Sequence, residues 1–214
     1  MTVEFEGFAP EAFEFYRELI ADNSREFWLA NKPRYERLVK EPMALLVDAL
    51  EDEFGVAKLF RPNRDVRFSA DKSPYKTHQG AYVPAGPAMG WYVQVSADGV
   101  MTGGGFYAAE RGALAGFRAA VNEHGDELRE ILDDLVAEEW EVGGDQLKTA
   151  PRGYPPDHPQ IGLLRHKTLT IGRDYAPSQE SVGSAELLDV VRDDWRSLTP
   201  LVRWLSRALA DTAG

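Results

Sequence analysis

The stretch Trp91-Tyr-Val-Gln-Val-Ser-Ala-Asp-Gly-Val-Met-Thr-Gly-Gly-Gly-Phe-Tyr107 decides the fold class. From Trp91 to Ala97 apolar and polar side chains alternate, the period of a half-buried strand. Asp98-Gly99 is a strong two-residue turn signal, and Val100 to Tyr107 forms the returning arm. Gly103, Gly104 and Gly105 interrupt that arm. Glycines there permit a bulge, or close approach by a ligand or a neighbouring segment. A hairpin at about 91–107 therefore predicts a central antiparallel sheet.

On either side of the hairpin the pattern is helical. Pro10 suits a helix start and is followed by Phe13, Tyr16, Leu19 and Ile20 at helical spacing. Asp22 to Ser24 breaks this run, and Ser24 can cap a second helix carrying Phe27, Trp28, Tyr35, Leu38 and Val39. Pro33 and Pro42 are expected to kink or restart it. A third run, Met43 to Phe54, stops at Gly55. Leu59 to Tyr107 is rich in glycine, proline and aromatic residues. Within it Asp65–Ser69 alternates like a strand, with Val66 and Phe68 on one face, and Gly80–Pro84 is a further short strand. Helices resume over Ala113–Asn122 and Asp126–Glu139, joined near His124-Gly125. Trp140–Pro159 is expected to be loop, Lys167–Ile171 a short strand, and about 185–210 a last amphipathic helix with Pro200 inside. No repeat or linker composition is present. The expectation is an α+β fold, 1–214 as a single domain, with an N-terminal helical segment, a central antiparallel sheet and C-terminal helices.

Composition narrows the function classes. With 43% hydrophobic and 28% charged residues the chain is globular in character, not disordered. It contains no cysteine, which excludes disulfides, thiolate metal sites and a cysteine nucleophile. A metal would need histidine and carboxylate ligands, and no spacing points to one. Met1–Pro10 carries Glu4 and Glu6 and lacks a basic start followed by an apolar run, and no long apolar stretch follows. A cytoplasmic protein with no membrane partner is the expectation.

The net charge is −11, which disfavours non-specific nucleic-acid binding because phosphate neutralisation dominates that affinity. The charge is uneven, however. Residues 58–78 hold Lys58, Arg61, Arg64, Arg67, Lys72 and Lys76 against Asp65 and Asp71, a balance of +4. Residues 148–167 hold Lys148, Arg152, Arg165 and Lys167 against Asp157, a balance of +3. Two basic segments on a repelling background point to a local anion site. Arg64, Arg67, Lys72, Lys76, Arg152 and Lys167 are the candidate ligand-binding cations, since arginine offers a planar fork for phosphate or carboxylate and lysine a mobile point charge. Asp65 would orient an arginine. Tyr75, His78 and His158 are candidates for proton transfer.

Each segment has a competing structural reading. Arg64–Asp65 and Arg67–Asp71 could neutralise one another as surface pairs worth ~0–1 kcal/mol, although pairing within the segment cannot use all four excess charges. Asp157 could cap a short helix starting near Pro159 instead of orienting His158. His166 is the weakest candidate, a neighbour of Lys167. No nucleotide loop, helical zinc pair, nucleophile elbow or calcium loop is present, so no cofactor is specified.

Several motifs carry a family resemblance. They are Gly7-Phe8, Asn23-x-Arg25-x-Phe-Trp28, Asn31-Lys32, Tyr35, and above all Arg64-Asp-Val-Arg-Phe-Ser-x-Asp-Lys-Ser-Pro-Tyr-Lys-Thr-His78. Tyr92-Val-Gln-Val, Gly103-Gly-Gly105, Lys148-x-x-Pro-Arg-Gly-Tyr154, Asp157-His-Pro159 and Leu163-Leu-Arg-x-Lys167 extend it over most of the chain. The chain resembles the uncharacterised family filed as domain of unknown function 2461. The resemblance implies a single domain and no assigned reaction. The residues themselves favour a small anionic, phosphate-bearing ligand, bound by a hydrolase or transferase if the protein is an enzyme. The alternative is a non-catalytic interaction module docking an acidic protein partner or a nucleic-acid end.

Overall fold

The structure is a computed structural model that describes residues 4–65, 67, 71–107 and 111–210. The helices of the N-terminal region are α1 (Pro10–Ala21), α2 (Arg25–Tyr35), α3 (Glu41–Asp48) and α4 (Glu51–Phe54). Pro10 opens α1, as its fixed φ and missing N–H favour. Ala12, Phe13, Phe15, Tyr16 and Leu19 are buried on one face of α1, whereas Ile20 lies outside that stripe, 56% exposed. Ser24 caps α2, its hydroxyl oxygen accepting from the Phe27 N–H at 3.1 Å.

The two prolines do not restart the helix. Pro33 lies inside α2, and a π-helical turn, Glu36–Lys40, joins α2 to α3 without a break. Glu41 N–H donates to Glu36 O there, so the widened turn ends just before Pro42, which has no N–H to give. The expected single run Met43–Phe54 divides at Ala49-Leu50, and Gly55 terminates α4 at φ 99°.

Six strands follow, β1 (Lys58–Leu59), β2 (His78–Gly86), β3 (Met89–Ser96), β4 (Gly99–Phe106), β5 (Glu141–Gly143) and β6 (Leu169–Tyr175), in the sheet order β1-β2-β3-β4-β6-β5. Two-residue turns at Pro87-Ala88 and Ala97-Asp98 link β2, β3 and β4, the connection that antiparallel neighbours allow. The hairpin is present, but its turn sits one residue earlier than the Asp98-Gly99 signal. Pro84 is tolerated because β1 reaches β2 only at Ala81 and Tyr82.

Three of the four β4 glycines answer to β6. A Cβ at Gly99, Gly103 or Gly105 would meet the carbonyl oxygens of Tyr175, Ile171 and Leu169 at 2.0, 2.4 and 2.2 Å respectively. Gly99 and Gly105 also sit at φ 127°. Close approach by a neighbouring strand, not by a ligand, accounts for them. β5 is a strand in the stretch expected to be loop, pairing Glu141 with Gly172 and Gly143 with Thr170.

The remaining helices are α5 (Arg111–Ala137), α6 (Ile161–Leu164) and α7 (Glu186–Ala210). α5 is kinked at His124, where φ −129° and ψ 26° leave the helical region. Gln160 occupies the N-cap of α6 with no side-chain cap bond, so Asp157 does not cap it. Pro200 is accommodated within α7. Mixed α+β, as the sequence predicts, is the class.

By packing the chain forms two compact units, and β2, β3, β4, β6 and α7 each run through both. The first comprises Met1–Val83, Tyr92–Thr102 and Asp174–Asp193. Its core is aromatic, with Phe15 edge-on to Tyr16 and Trp28, and Trp28 stacked on Tyr75 with centroids 4.4 Å apart. The second comprises Pro84–Trp91, Gly103–Arg173 and Asp194–Gly214. Met89, Phe106, Phe117, Leu128, Leu169, Leu201 and Trp204 are among its core residues.

Candidate functional site

The first basic segment is built on an extension of the β1–β2 ladder. Lys58 and Leu59 pair with Tyr82 and Ala81, and Phe60 N–H donates to Gly80 O at 2.9 Å in the same register. Beyond Phe60 the pairing resumes two residues out of step. Asn63 bridges to Tyr75, Lys76 N–H donates to Pro62 O at 2.8 Å, and Arg64 N–H donates to Pro74 O at 2.9 Å. The slip leaves Thr77–Gln79 bulged opposite Arg61, and bulges of this kind re-aim side chains.

Gln79 fills the bulge. Its amide nitrogen donates to Phe60 O at 3.0 Å and Gly80 O at 2.8 Å, and its oxygen accepts from the Tyr35 hydroxyl at 2.5 Å. Burial, then the charge of Glu36, pushes the Tyr35 pKa up, which keeps the phenol a donor. Asn23 fixes the other arm, donating to Tyr75 O at 3.0 Å and accepting from Tyr75 N–H at 3.1 Å. Tyr75, stacked on Trp28 and 6% exposed, therefore anchors the segment.

The cations fall into two kinds. Arg64 pairs with Asp71, and Arg67 pairs with Asp65 at 2.6 Å, so the acids are exchanged relative to the Arg64–Asp65 and Arg67–Asp71 pairing considered from sequence. Asp65 and Arg67 lie in irregular backbone, and Val66, Phe68 and Ser69 of the expected strand lie outside the described residues. Ser73 first and Arg64 after it hold the Asp71 carboxyl below the usual range. Lys72 is exposed.

Lys76 differs from these. Half-buried, it places Nζ 4.9 Å from the Phe60 ring centroid, a cation–π contact. Among the described residues neither it nor Lys32 has a salt-bridged carboxylate, whereas Arg61 helps to lower the pKa of the Asp65 carboxyl, after Arg67. Burial, then Arg61 and Arg64, depresses the Lys76 pKa. Burial, then Lys76 and Arg64, depresses that of His78. Lys76, Arg61 and Arg64 therefore form one cationic cluster, with the depressed His78 beside it.

Phe60 also lines a cleft of about 390 Å³ between α2 with its π turn and residues 59–63. Trp28, Tyr35 and Gln79 close it toward the core, and Lys32, Lys40 and Arg61 line it with Glu36, which is itself paired with Lys40 at 2.7 Å. Among the described residues no three histidine or carboxylate side chains converge as a metal site.

Of the ten residues expected at the site, Arg64, Asp65, Arg67, Lys72, Tyr75, Lys76 and His78 belong to the first unit, and Arg152, His158 and Lys167 to the second. His158 accepts at Nδ1 from Gln160 N–H at 3.0 Å, which leaves the Nε2 proton for Asn122 Oδ1, also at 3.0 Å. Lys167 faces Asp145 at 3.4 Å, and Arg152 is exposed. Arg165 donates to the carbonyls of Leu147 and Lys148, so its charge serves the loop. His166 is buried, donating from Nδ1 to Thr168 O and accepting from Gln146.

Lys32, Tyr35, Arg61 and Gln79 were not expected at the site. Lys32 and Tyr35 belong to the N-terminal motifs, so two stretches some forty residues apart carried the signal together.

Fold and cleft define an α+β protein with a cationic cluster on a bulged strand. The chain belongs to the family described as Conserved hypothetical protein (DUF2461), whose model matches residues 11–204. No curated protein and no solved structure matched it. No helix among the described residues is long and apolar enough to cross a membrane.

Proposed function

We propose that the first unit binds a small anionic, phosphate-bearing ligand at the cleft beside Phe60, and that it does so in the cytoplasm, where phosphorylated metabolites reside. One observation carries this reading. Lys76, which does not line the cleft but lies over the ring of Phe60 that does, is a half-buried cation with no salt-bridged carboxylate among the described residues, and its charged neighbours Arg61 and Arg64 repel it. A half-buried ammonium beside two other cations is disfavoured, and a bound anion would offset this. Arg61 and Lys32 would neutralise the same ligand from the cleft wall. Arg64, oriented by Asp71, contributes long-range charge, and His78, held neutral, is available as a proton acceptor for a hydrolase or transferase. A concave site with converging cations favours a small ligand over docking of an acidic protein partner.

The test is thermal melting with orthophosphate, pyrophosphate and nucleotides. A ligand at ~100 times its dissociation constant stabilises by about 2.7 kcal/mol, or roughly 5–10 °C for a chain of this size. The shift is expected to vanish in Arg61→Ala and Lys76→Ala. An unchanged melt with every anion would refute the reading.

A further inference from the structure

The second unit presents a two-helix face. α5 and α7 run antiparallel there, since Glu127 pairs with Arg207 at 2.5 Å and the residues after Glu127 face those before Arg207. On each side of that pair a cleft separates the helices. One, of about 550 Å³, is walled by Ala115, Gly116, Ala119, Ala120 and Ala208, with the buried Trp204 at its base. The other, of about 650 Å³, lies between Glu130, Ile131 and Asp134 of α5 and Pro200 and Arg203 of α7.

The walls of the second cleft bear opposite charge. Glu127, Glu130 and Asp134 are spaced by three and four residues, which sets them in a row along one side of α5, and Arg203 and Arg207, four apart, form a row on α7. Counted from the Glu127–Arg207 pair, Glu130 lies level with Arg203 across the cleft. Yet among the described residues Arg203 makes no ion pair, and neither Glu130 nor Asp134 makes one. All three are exposed. A partner of one sign would satisfy one wall and be repelled by the other. A second copy of the chain brings both rows at the same spacing.

We propose that this face is a dimer interface, with α5 of each copy laid along α7 of the other. A two-fold interface uses one patch twice, so that residue i meets j and j meets i. An axis running across the helices would lay α5 on α5 and set acid against acid. An axis running along them lays α5 on α7. Glu130 of each copy then faces Arg203 of the other, and the two Glu127–Arg207 pairs join. Toward the first cleft Ala115, Ala119 and Ala208 end at Cβ, so no long side chain holds the helices of the two copies apart. The interface lies in the second unit alone and is independent of the anion site in the first.

Sedimentation velocity on the full chain at micromolar concentrations is expected to show a dimer. Glu130→Arg or Arg203→Glu alone puts two like-charged contacts into each dimer and should weaken dimerisation by about tenfold or more. Both positions are exposed, so circular dichroism should show an unchanged fold. An equimolar mixture of the two variants should recover the dimer, because each contact of a mixed dimer again joins unlike charges. Recovery on mixing reports contacts between chains, since within either variant the cleft walls stay like-charged at that level. A monomer throughout, a dimer that neither variant weakens, or variants that mixing does not rescue would each overturn the proposal.

Discussion

Replacing Gln79 by leucine tests how the bulge is held. The amide is 2% exposed and makes three hydrogen bonds. Leucine is close in size but can make none. Gly80 O keeps a partner, because it also accepts from Phe60 N–H at 2.9 Å. Two groups lose theirs, Phe60 O and the hydroxyl of Tyr35, itself 2% exposed. A buried polar group without a partner costs about 1–3 kcal/mol, so Gln79→Leu should destabilise by roughly 3 kcal/mol once the relief of burying no amide is allowed for. Tyr35→Phe alone orphans only the amide oxygen, for about 1–2 kcal/mol. The double variant removes both ends of that bond, and its loss should fall short of the sum by about 1–2 kcal/mol. Urea unfolding with an unchanged m value measures all three. A Gln79→Leu loss under ~0.5 kcal/mol, or strict additivity in the double variant, would show that the amide does not hold the bulge.

Other perturbations address separate contacts. Asn23→Ala deletes both hydrogen bonds to the Tyr75 backbone and should cost about 1–2 kcal/mol in urea unfolding, and phosphate binding should weaken although Asn23 is not among the cleft-lining residues. Gly105→Ala places a methyl 2.2 Å from Leu169 O at φ 127°, so a loss of roughly 3 kcal/mol or more is expected, and a stable variant would disprove the close approach of β4 and β6. His78 and His166 both have folded-state pKa values below the usual 6.5, mainly through burial. As pH falls through 6.5 the unfolded chain takes up protons before the folded one. Stability should therefore be full above that point and decline below it, with a shallower decline in His166→Gln, measured by urea melts at about pH 7.5 and 5.5.

The fold was legible where periodicity and punctuation agreed. Trp91–Ala97 alternates and a turn residue pair follows, so the hairpin could be named from local sequence alone. Its turn falls one residue early because Gly99 answers a different demand, the carbonyl of Tyr175 in β6. Nothing local identifies a partner some seventy residues away. β5 carried no signal at all. Its three residues are exposed, and pairing with β6 rather than any apolar alternation makes it a strand. The same distinction governs the site. Excess positive charge in residues 58–78 was visible, but which acid serves which arginine depends on the loop path, and Arg64 took Asp71 while Asp65 went to Arg67. In the sequence Trp28 and Tyr35 read only as members of a second helical run. They are core, buried at 6% and 2% exposure, and they also line the cleft, a double role that periodicity does not distinguish.

That double role explains how an acidic chain can keep a cationic cleft. At physiological ionic strength exposed charges are screened beyond about 8 Å, so the overall charge of −11 matters less to a bound anion than the groups lining its site. What has to be maintained is local, a set of cations whose nearby carboxylates are already engaged. Asp71 and Asp65 are engaged by Arg64 and Arg67, and Glu36 is engaged by Lys40. The bulge at Thr77–Gln79 shifts the register between the arms that carry Arg61 and Lys76, and the buried Gln79–Tyr35 bond fixes that shift to α2. Because the bulge is locked to the aromatic core, the cluster cannot relax its repulsion by rearranging without cost. A ligand bound as proposed would therefore meet cations held in place by the core and not by the loops alone.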